Sequence, residues 1–317
     1  MSIWTTVLLF ALGLVLIIKG GDWFLDGAVW MAEASGVPRF IIGATIVSLV
    51  TTLPELTVSV TGVLKGQVDL AVGNAVGSVT ANLGLILGIS VLCLPSVVSK
   101  KQFNLKAILM VLGAAFLALL CRGGGLALAP SLLLFVIFAV YLGSNVVDAK
   151  TSMQEERETP ERRSISHRQA ARKILAFVVG IVSIVVGSRL LIDYGSALAL
   201  ELGVPASVIG VTMVAIGTSL PELVTTVTAI IKKEASMSVG NIIGANVIDL
   251  TMILPVCSAV SGGHLVIGPQ TTALDLPFCL SLALLAVLPP LIKGKFYRWQ
   301  GVVMLLVYVG YVSLLVL

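Results

Sequence analysis

The sequence predicts an all-α polytopic membrane protein: ten transmembrane helices arranged as two inverted five-helix repeats. Three observations predict it. Of the 317 residues, 57% are hydrophobic and only 11% charged, with a mean hydropathy of +1.08, and the apolar runs are continuous and long enough to span a bilayer. They do not alternate as the strands of a membrane β-barrel do. A forty-residue block occurs twice at a constant offset of 167: GATIVSLVTTLPEL with GNAVGSVTAN at 43–82, and GVTMVAIGTSLPEL with GNIIGANVID at 210–249. Finally, the basic residues are strongly sided. With the N-terminus outside, 17 of the 20 Lys and Arg fall inside, and only Lys65, Arg122 and Arg189 fall outside.

The spans follow in order. Residues 3–19 lack a basic leader and a small-residue cleavage site, so they read as a spanning helix, not a signal peptide. The second span, 38–63, starts at Pro38 and carries the first Pro-Glu motif. The third, 69–92, carries a glycine series at Gly73, Gly77, Gly84 and Gly88 that permits close helix approach. Spans 104–121 and 126–146 complete the first repeat, assigned to residues 1–147. The segment 148–171 holds Glu155, Glu156, Arg157, Glu158, Glu161, Arg162 and Arg163, and reads as a solvated cytoplasmic linker. The second repeat, 172–317, contains spans 172–192, 204–231, 236–258, 271–292 and 298–316. Five helices per half turn the second copy upside down, as in transporters with inverted repeats. The repeat reaches upstream: Gly13, Gly20, Asp26 and Pro38 match Gly180, Gly187, Asp193 and Pro205. Asp26, Asp193 and Asp275 lie near predicted helix ends and read as interfacial or capping residues. Cys93, Cys121, Cys257 and Cys279 have no metal-ligand spacing and read as packing residues; His167 and His264 fall in loops.

Chemistry concentrates in the repeated block. On a helix, Thr45, Ser48, Thr52, Glu55 and Ser59 share one face, with Thr51 one turn before Glu55. The second copy gives Thr212, Ala215, Ser219, Glu222 and Thr226, with Thr218 in the place of Thr51. Pro54 and Pro221 have no N–H, so each is expected to free a backbone carbonyl, on Val50 and Gly217. The next helix aligns Asn74, Ser78 and Asn82 in one half, and Asn241, Ala245 and Asp249 in the other. Brought together at a pseudo-two-fold axis, Glu55, Glu222, Asn82 and Asp249 form a cluster ringed by Thr51, Thr52, Thr218, Ser219 and Ser78. All are hard oxygen donors, suited to Ca²⁺ or ions of the size of Na⁺ rather than to Zn²⁺ or Cu⁺. Three carboxylates at helix centres cost roughly 8–10 kcal/mol on insertion scales, which argues against a purely structural role. A cation channel and an intramembrane protease remain alternatives at this point, although no Ser/His or HExxH system accompanies the carboxylates.

TTLPEL, TSLPEL, GNAVGSVTAN and GNIIGANVID resemble the two α-repeats of the sodium/calcium exchanger family, part of the cation/calcium antiporter superfamily. The resemblance covers two blocks of about forty residues. It implies the sodium/calcium exchanger fold, with a site between the second, third, seventh and eighth helices. It implies Ca²⁺/Na⁺ antiport by alternating access, the first and sixth helices sliding past the rest. Glu55 and Glu222 would bind both ions, and Thr51 and Thr218 would complete the calcium site. Thr52 and Ser78 with Glu55, and Ser219 with Glu222, would form flanking sodium sites, helped by the carbonyls of Ser48 and Ala215. Asn82 and Asp249 would line the middle. Three departures stand out: Val50 replaces the usual glycine before Thr51-Thr52, Val79 the asparagine after Gly77-Ser78, and Ala245 the serine between Gly244 and Asn246. Ala245 removes a hydroxyl from the expected outer sodium site. A proton- or potassium-linked calcium exchanger on the same fold is the alternative. The expected partners are the two ions and the lipid bilayer of a cell membrane, with both termini outside; no cofactor, nucleic acid or obligatory protein partner is expected.

Overall fold

The structure, a computed structural model, describes residues 3–157, 167–202 and 217–316. Nine helices among them are long and apolar enough to cross a membrane: α1 (Ile3–Ser35), α2 (Arg39–Leu64), α3 (Val68–Cys93), α4 (Lys100–Gly123), α5 (Leu128–Arg157), α6 (His167–Glu201), α8 (Ala235–Val260), α9 (Thr271–Lys293) and α10 (Arg298–Val316). Between α6 and α8 lies α7 (Leu220–Ile231), of 12 residues; positions 204–216 of the predicted seventh span lie outside the described residues. The centre of the molecule is α3 and α8, whose most apolar stretches are 72% and 83% buried, against 22% for α1, α5 and α10. This polytopic membrane architecture agrees with the sequence-based expectation.

The inverted symmetry is visible where α1 crosses α6. A Cβ added at Gly13 would lie 3.0 Å from the carbonyl oxygen of Gly187, and one at Gly20 would lie 3.0 Å from that of Gly180. Phe24 stacks on Phe177 with ring centroids 4.8 Å apart. Pairing therefore runs antiparallel. At the offset of 167, Gly13 corresponds to Gly180 and Gly20 to Gly187, so each glycine meets the counterpart of the other. Such reciprocal contact is the mark of a two-fold interface. The loops repeat the pattern. Strand β1 (Gly125–Ala127), after α4, pairs with β2 (His264–Val266), after α8. Val97, after α3, bridges to Lys295, after α9. Since α3 corresponds to α8 and α9 to α4, these two links are equivalents on opposite sides of the bilayer.

Several elements depart from expectation. Helix α1 does not stop at residue 19 but continues to Ser35, because Phe24, Leu25, Ala28 and Ala32 still bury a face. Its 33 residues reach about 50 Å at 1.5 Å per residue. Asp26 is thus well inside a helix, where it accepts from Lys232 Nζ at 2.7 Å, and Asp193 lies inside α6. The charged linker is helical at both edges, with α5 running on to Arg157 and α6 starting at His167. Asp275 is buried, not interfacial, and Tyr311 Oη donates to it at 3.0 Å. His264 belongs to β2 and His167 opens α6. Cys121, Cys257 and Cys279 are buried and free, whereas Cys93 is free but exposed.

The α1–α6 crossing carries a prediction. Gly20→Val and Gly180→Val each push a side chain into backbone of the facing helix; the Cβ at Gly180 would sit 2.5 Å from Phe24 N. Each should cost about 1–3 kcal/mol and lower the unfolding temperature in detergent. Gly143→Ala, with nothing within 4 Å, should leave that temperature unchanged.

Candidate cation site

The two Pro-Glu motifs build the same local structure. In α2 the helix breaks at Thr52 (φ −84°, ψ −1°) and restarts with Pro54 in the first turn; in α7 Ser219 (φ −83°, ψ 5°) precedes Pro221 in the same way. The carbonyl of Val50, expected to be free, accepts an N–H of the cap. The proline contributes something different: a second helix N-terminus at bilayer depth. Glu55 and Glu222 each sit in its first turn, where the helix dipole favours a negative charge. Both are fully buried. Helices α3 and α8 change geometry at the equivalent point. Each opens into a π segment, Asn82–Leu87 in one and Asp249–Ile253 in the other. The extra residue per turn turns Asn82 and Asp249 inward; π segments are frequent at functional sites.

A reciprocal pair of hydrogen bonds joins the halves. Thr51 Oγ1 of α2 donates to Asn241 Oδ1 of α8 at 3.3 Å, and Thr218 Oγ1 donates to Asn74 Oδ1 of α3 at 3.0 Å. Each asparagine then ties down the motif of its own half. Asn74 Nδ2 donates to Ser59 Oγ at 2.9 Å and to the Glu55 carbonyl at 3.2 Å. Asn241 Nδ2 donates to Thr225 Oγ1 at 3.1 Å, and Thr225 to the Glu222 carbonyl at 3.0 Å. Ser78 Oγ lies 3.4 Å from Thr218 Oγ1.

Around these struts lies a set of buried oxygens without hydrogen-bond partners: both carboxylate oxygens of Glu55, Glu222 and Asp249, with Asn82 Oδ1 and Ser219 Oγ. The Thr51 hydroxyl interacts with Glu222, and Glu222 is within electrostatic reach of Glu55 and Asp249. Among the described residues no Lys or Arg pairs with any of the three carboxylates, and no three charged side chains converge into a metal cluster of their own. Any ion would therefore be held by a mixture of carboxylate, amide and hydroxyl oxygens. Other predicted ligands also bond within the protein. Thr52 Oγ1 donates to the Ser48 carbonyl, which also takes the Thr52 N–H at 3.0 Å and lies 3.3 Å from Thr51 Oγ1. Ala215 lies outside the described residues, and Ala245 is fully buried without a hydroxyl to offer. Sequence reasoning assigned no role to Thr225 or Asn246. Thr225 stands one residue off the predicted stripe, so spacing alone could not single it out.

The family model described as sodium/calcium exchanger protein matches residues 5–147 and 172–317. The chain belongs to this family. It is 31% identical over 308 residues to the membrane protein MJ0091 of Methanocaldococcus jannaschii, covering 95% of this chain and 94% of that one. It is 27% identical to the sodium/calcium exchanger MaX1 of Methanosarcina acetivorans, covering 97% of each. A solved structure of the sodium-calcium exchanger NCX_Mj superposes with a TM-score of 0.84 at 29% identity, covering 98% of this chain and 99% of that one. As an exchanger-family member the protein is a multi-pass cation/Ca²⁺ antiporter, a transporter and not an enzyme.

The struts are open to test. Asn74→Ala and Asn241→Ala each take a hydrogen-bond partner from two hydroxyls. Asn74→Ala thus removes one partner each from buried Ser59 and half-buried Thr218, and Asn241→Ala one each from buried Thr51 and Thr225; each should cost about 1–3 kcal/mol, read as earlier unfolding in a thermal melt of the purified protein.

Proposed function

We propose that this exchanger moves Ca²⁺ against Na⁺, and that both ions use the one site between α2, α3, α7 and α8. The observation that carries the reading is the set of three fully buried carboxylates with no cationic partner among the described residues. Such groups need a counter-charge, since a buried charge without one is strongly destabilising. In this reading Glu55 and Glu222 hold Ca²⁺ and Na⁺ in turn, with Asn82 and Asp249 lining the middle. Thr51 and Thr218 border the calcium position. Ser219 faces the sodium beside Glu222, and Thr52 and Ser78 the sodium beside Glu55. The carbonyls of Ser48 and Ala215 belong to the same expected sets. No resident cofactor is required.

Competition for one set of oxygens makes exchange obligatory. With Ca²⁺ bound, the Glu55–Glu222 pair is neutralised and the site can be occluded, whereas the empty site carries uncompensated charge and is costly to move through a dry barrier. Alternating access follows if each ion binds both orientations. The excess of Lys and Arg on the linker side supports a cytoplasmic position for residues 148–171, with both termini outside. The two repeats, 1–147 and 172–317, would then face the membrane from opposite sides. Ala245 favours a second reading, proton-coupled calcium exchange. The outer sodium position lacks a serine there, and a proton needs no coordination shell.

Uptake of ⁴⁵Ca²⁺ into proteoliposomes, driven in turn by Na⁺, K⁺ and pH gradients, discriminates among these. The expectation is uptake with an outward Na⁺ gradient and none with the other two. Uptake with a pH gradient alone replaces the first reading by the second. Glu222→Gln should lower Na⁺-driven uptake by about 100-fold or more while the protein stays monodisperse, because a lost buried charge partner costs about 3–5 kcal/mol. Wild-type uptake by that variant would refute the site.

A further inference from the structure

Asn82 and Asn246 face each other across the pseudo-axis, and the contact is unlike any other at the site. Asn82 opens the π segment of α3, and Asn246 lies on α8, one turn before Asp249; both are fully buried. Asn82 Nδ2 donates to Asn246 Oδ1 at 3.1 Å. Asn82 Oδ1 is left with no partner, in the same condition as the carboxylate oxygens, and so is Asn246 Nδ2 on the other side of the contact. An amide is a ligand for a cation only through its oxygen. Turned over, its NH₂ would point at the carboxylates, donate to them and occupy the oxygens that an ion needs. Something must hold the amide the right way round, and the acceptor oxygen of Asn246 is placed to do so.

The equivalent pair in the other half supplies an independent observation. At the offset of 167, Asn82 corresponds to Asp249 and Asn246 to Val79. Val79 is fully buried and has no polar group. Asp249 needs none, because its two oxygens are alike and either face presents an acceptor. A polar aligner is present where the ligand is an amide and absent where it is a carboxylate. The two differences between the halves, Asn against Asp and Asn against Val, therefore form one device.

We infer that Asn246 is a positioning residue, which aims the Asn82 oxygen at the transported cation without touching the cation itself. The inference rests on the site proposed above. Partners that orient a metal ligand are commonly worth about 10–100-fold in affinity. Asn246→Leu should therefore raise the Ca²⁺ KM of uptake by about 10-fold, with the maximal rate and the unfolding temperature little changed. Asn246→Asp, which keeps the acceptor, should hold the KM at or below the wild-type value. In an Asn82→Asp background Asn246→Leu should have no further effect, because a carboxylate needs no aiming. An unchanged KM in Asn246→Leu, or an equal rise for Leu and Asp, overturns the inference. Asn82→Leu separates the two levels. If it takes up ⁴⁵Ca²⁺ with wild-type KM, the site reading itself falls. If its KM rises while that of Asn246→Leu does not, only the positioning role falls.

Discussion

Three carboxylates buried at the centre of a membrane protein, with no cationic side chain beside them among the described residues, are the constraint around which the rest is arranged. On insertion scales they cost roughly 8–10 kcal/mol, as much as the net stability of a whole fold. The surroundings offset part of this. Each glutamate stands in the first turn of a helix made by a break at Thr52 or Ser219, where the helix dipole presents positive potential. The remainder is left for the cargo. A site that the protein fully neutralised by itself would hold no ion.

Holding these charges apart from bulk solvent requires rigid walls. Helices α3 and α8 supply them, being the most buried of the molecule. The glycines of α8 let the backbone come close, at Gly240 to the Phe40 carbonyl and at Gly244 to Ser48 Oγ, whereas Gly73 and Gly77 of α3, expected to do the same, have nothing within 4 Å. The Thr–Asn pairs then lock each motif to the opposite half. Peripheral α1 and α6 are fastened mainly to each other through Gly13, Gly20, Gly180 and Gly187. The division into a tightly braced centre and a loosely attached pair is the arrangement a transporter needs if part of it is to shift while the ligands stay in place.

Much of this was legible in the residues. A fixed offset of 167 located both halves, and helical spacing collected Glu55, Glu222, Asn82 and Asp249. Less local features were not. The apolar run of α1 ends at Lys19, yet its helix persists because Phe24 and Ala28 pack on the rest of the molecule; hydropathy does not record that contact. The π segments add one residue to a turn without disturbing composition. Asp275 lies two residues before a proline at the start of a span, and its burial depends on Tyr311, 36 positions away. Asn246 was visible only as a residue that keeps the family pattern beside the departing Ala245. Its meaning lies in what faces it across the axis, which no single repeat contains.

The reciprocal glycine contact between α1 and α6 is one that two separate, identical five-helix chains could make with each other. The cation site is not. A pair of identical subunits places every ligand twice, so its carboxylates come in even numbers: two glutamates alone, or two glutamates with two aspartates. Three require Asn82 on one side and Asp249 on the other, and that choice exists only once the halves are joined in one gene and free to diverge. An odd number of charges is thus the trace of fusion in the chemistry of the site, and the 167-residue offset is its trace in the sequence.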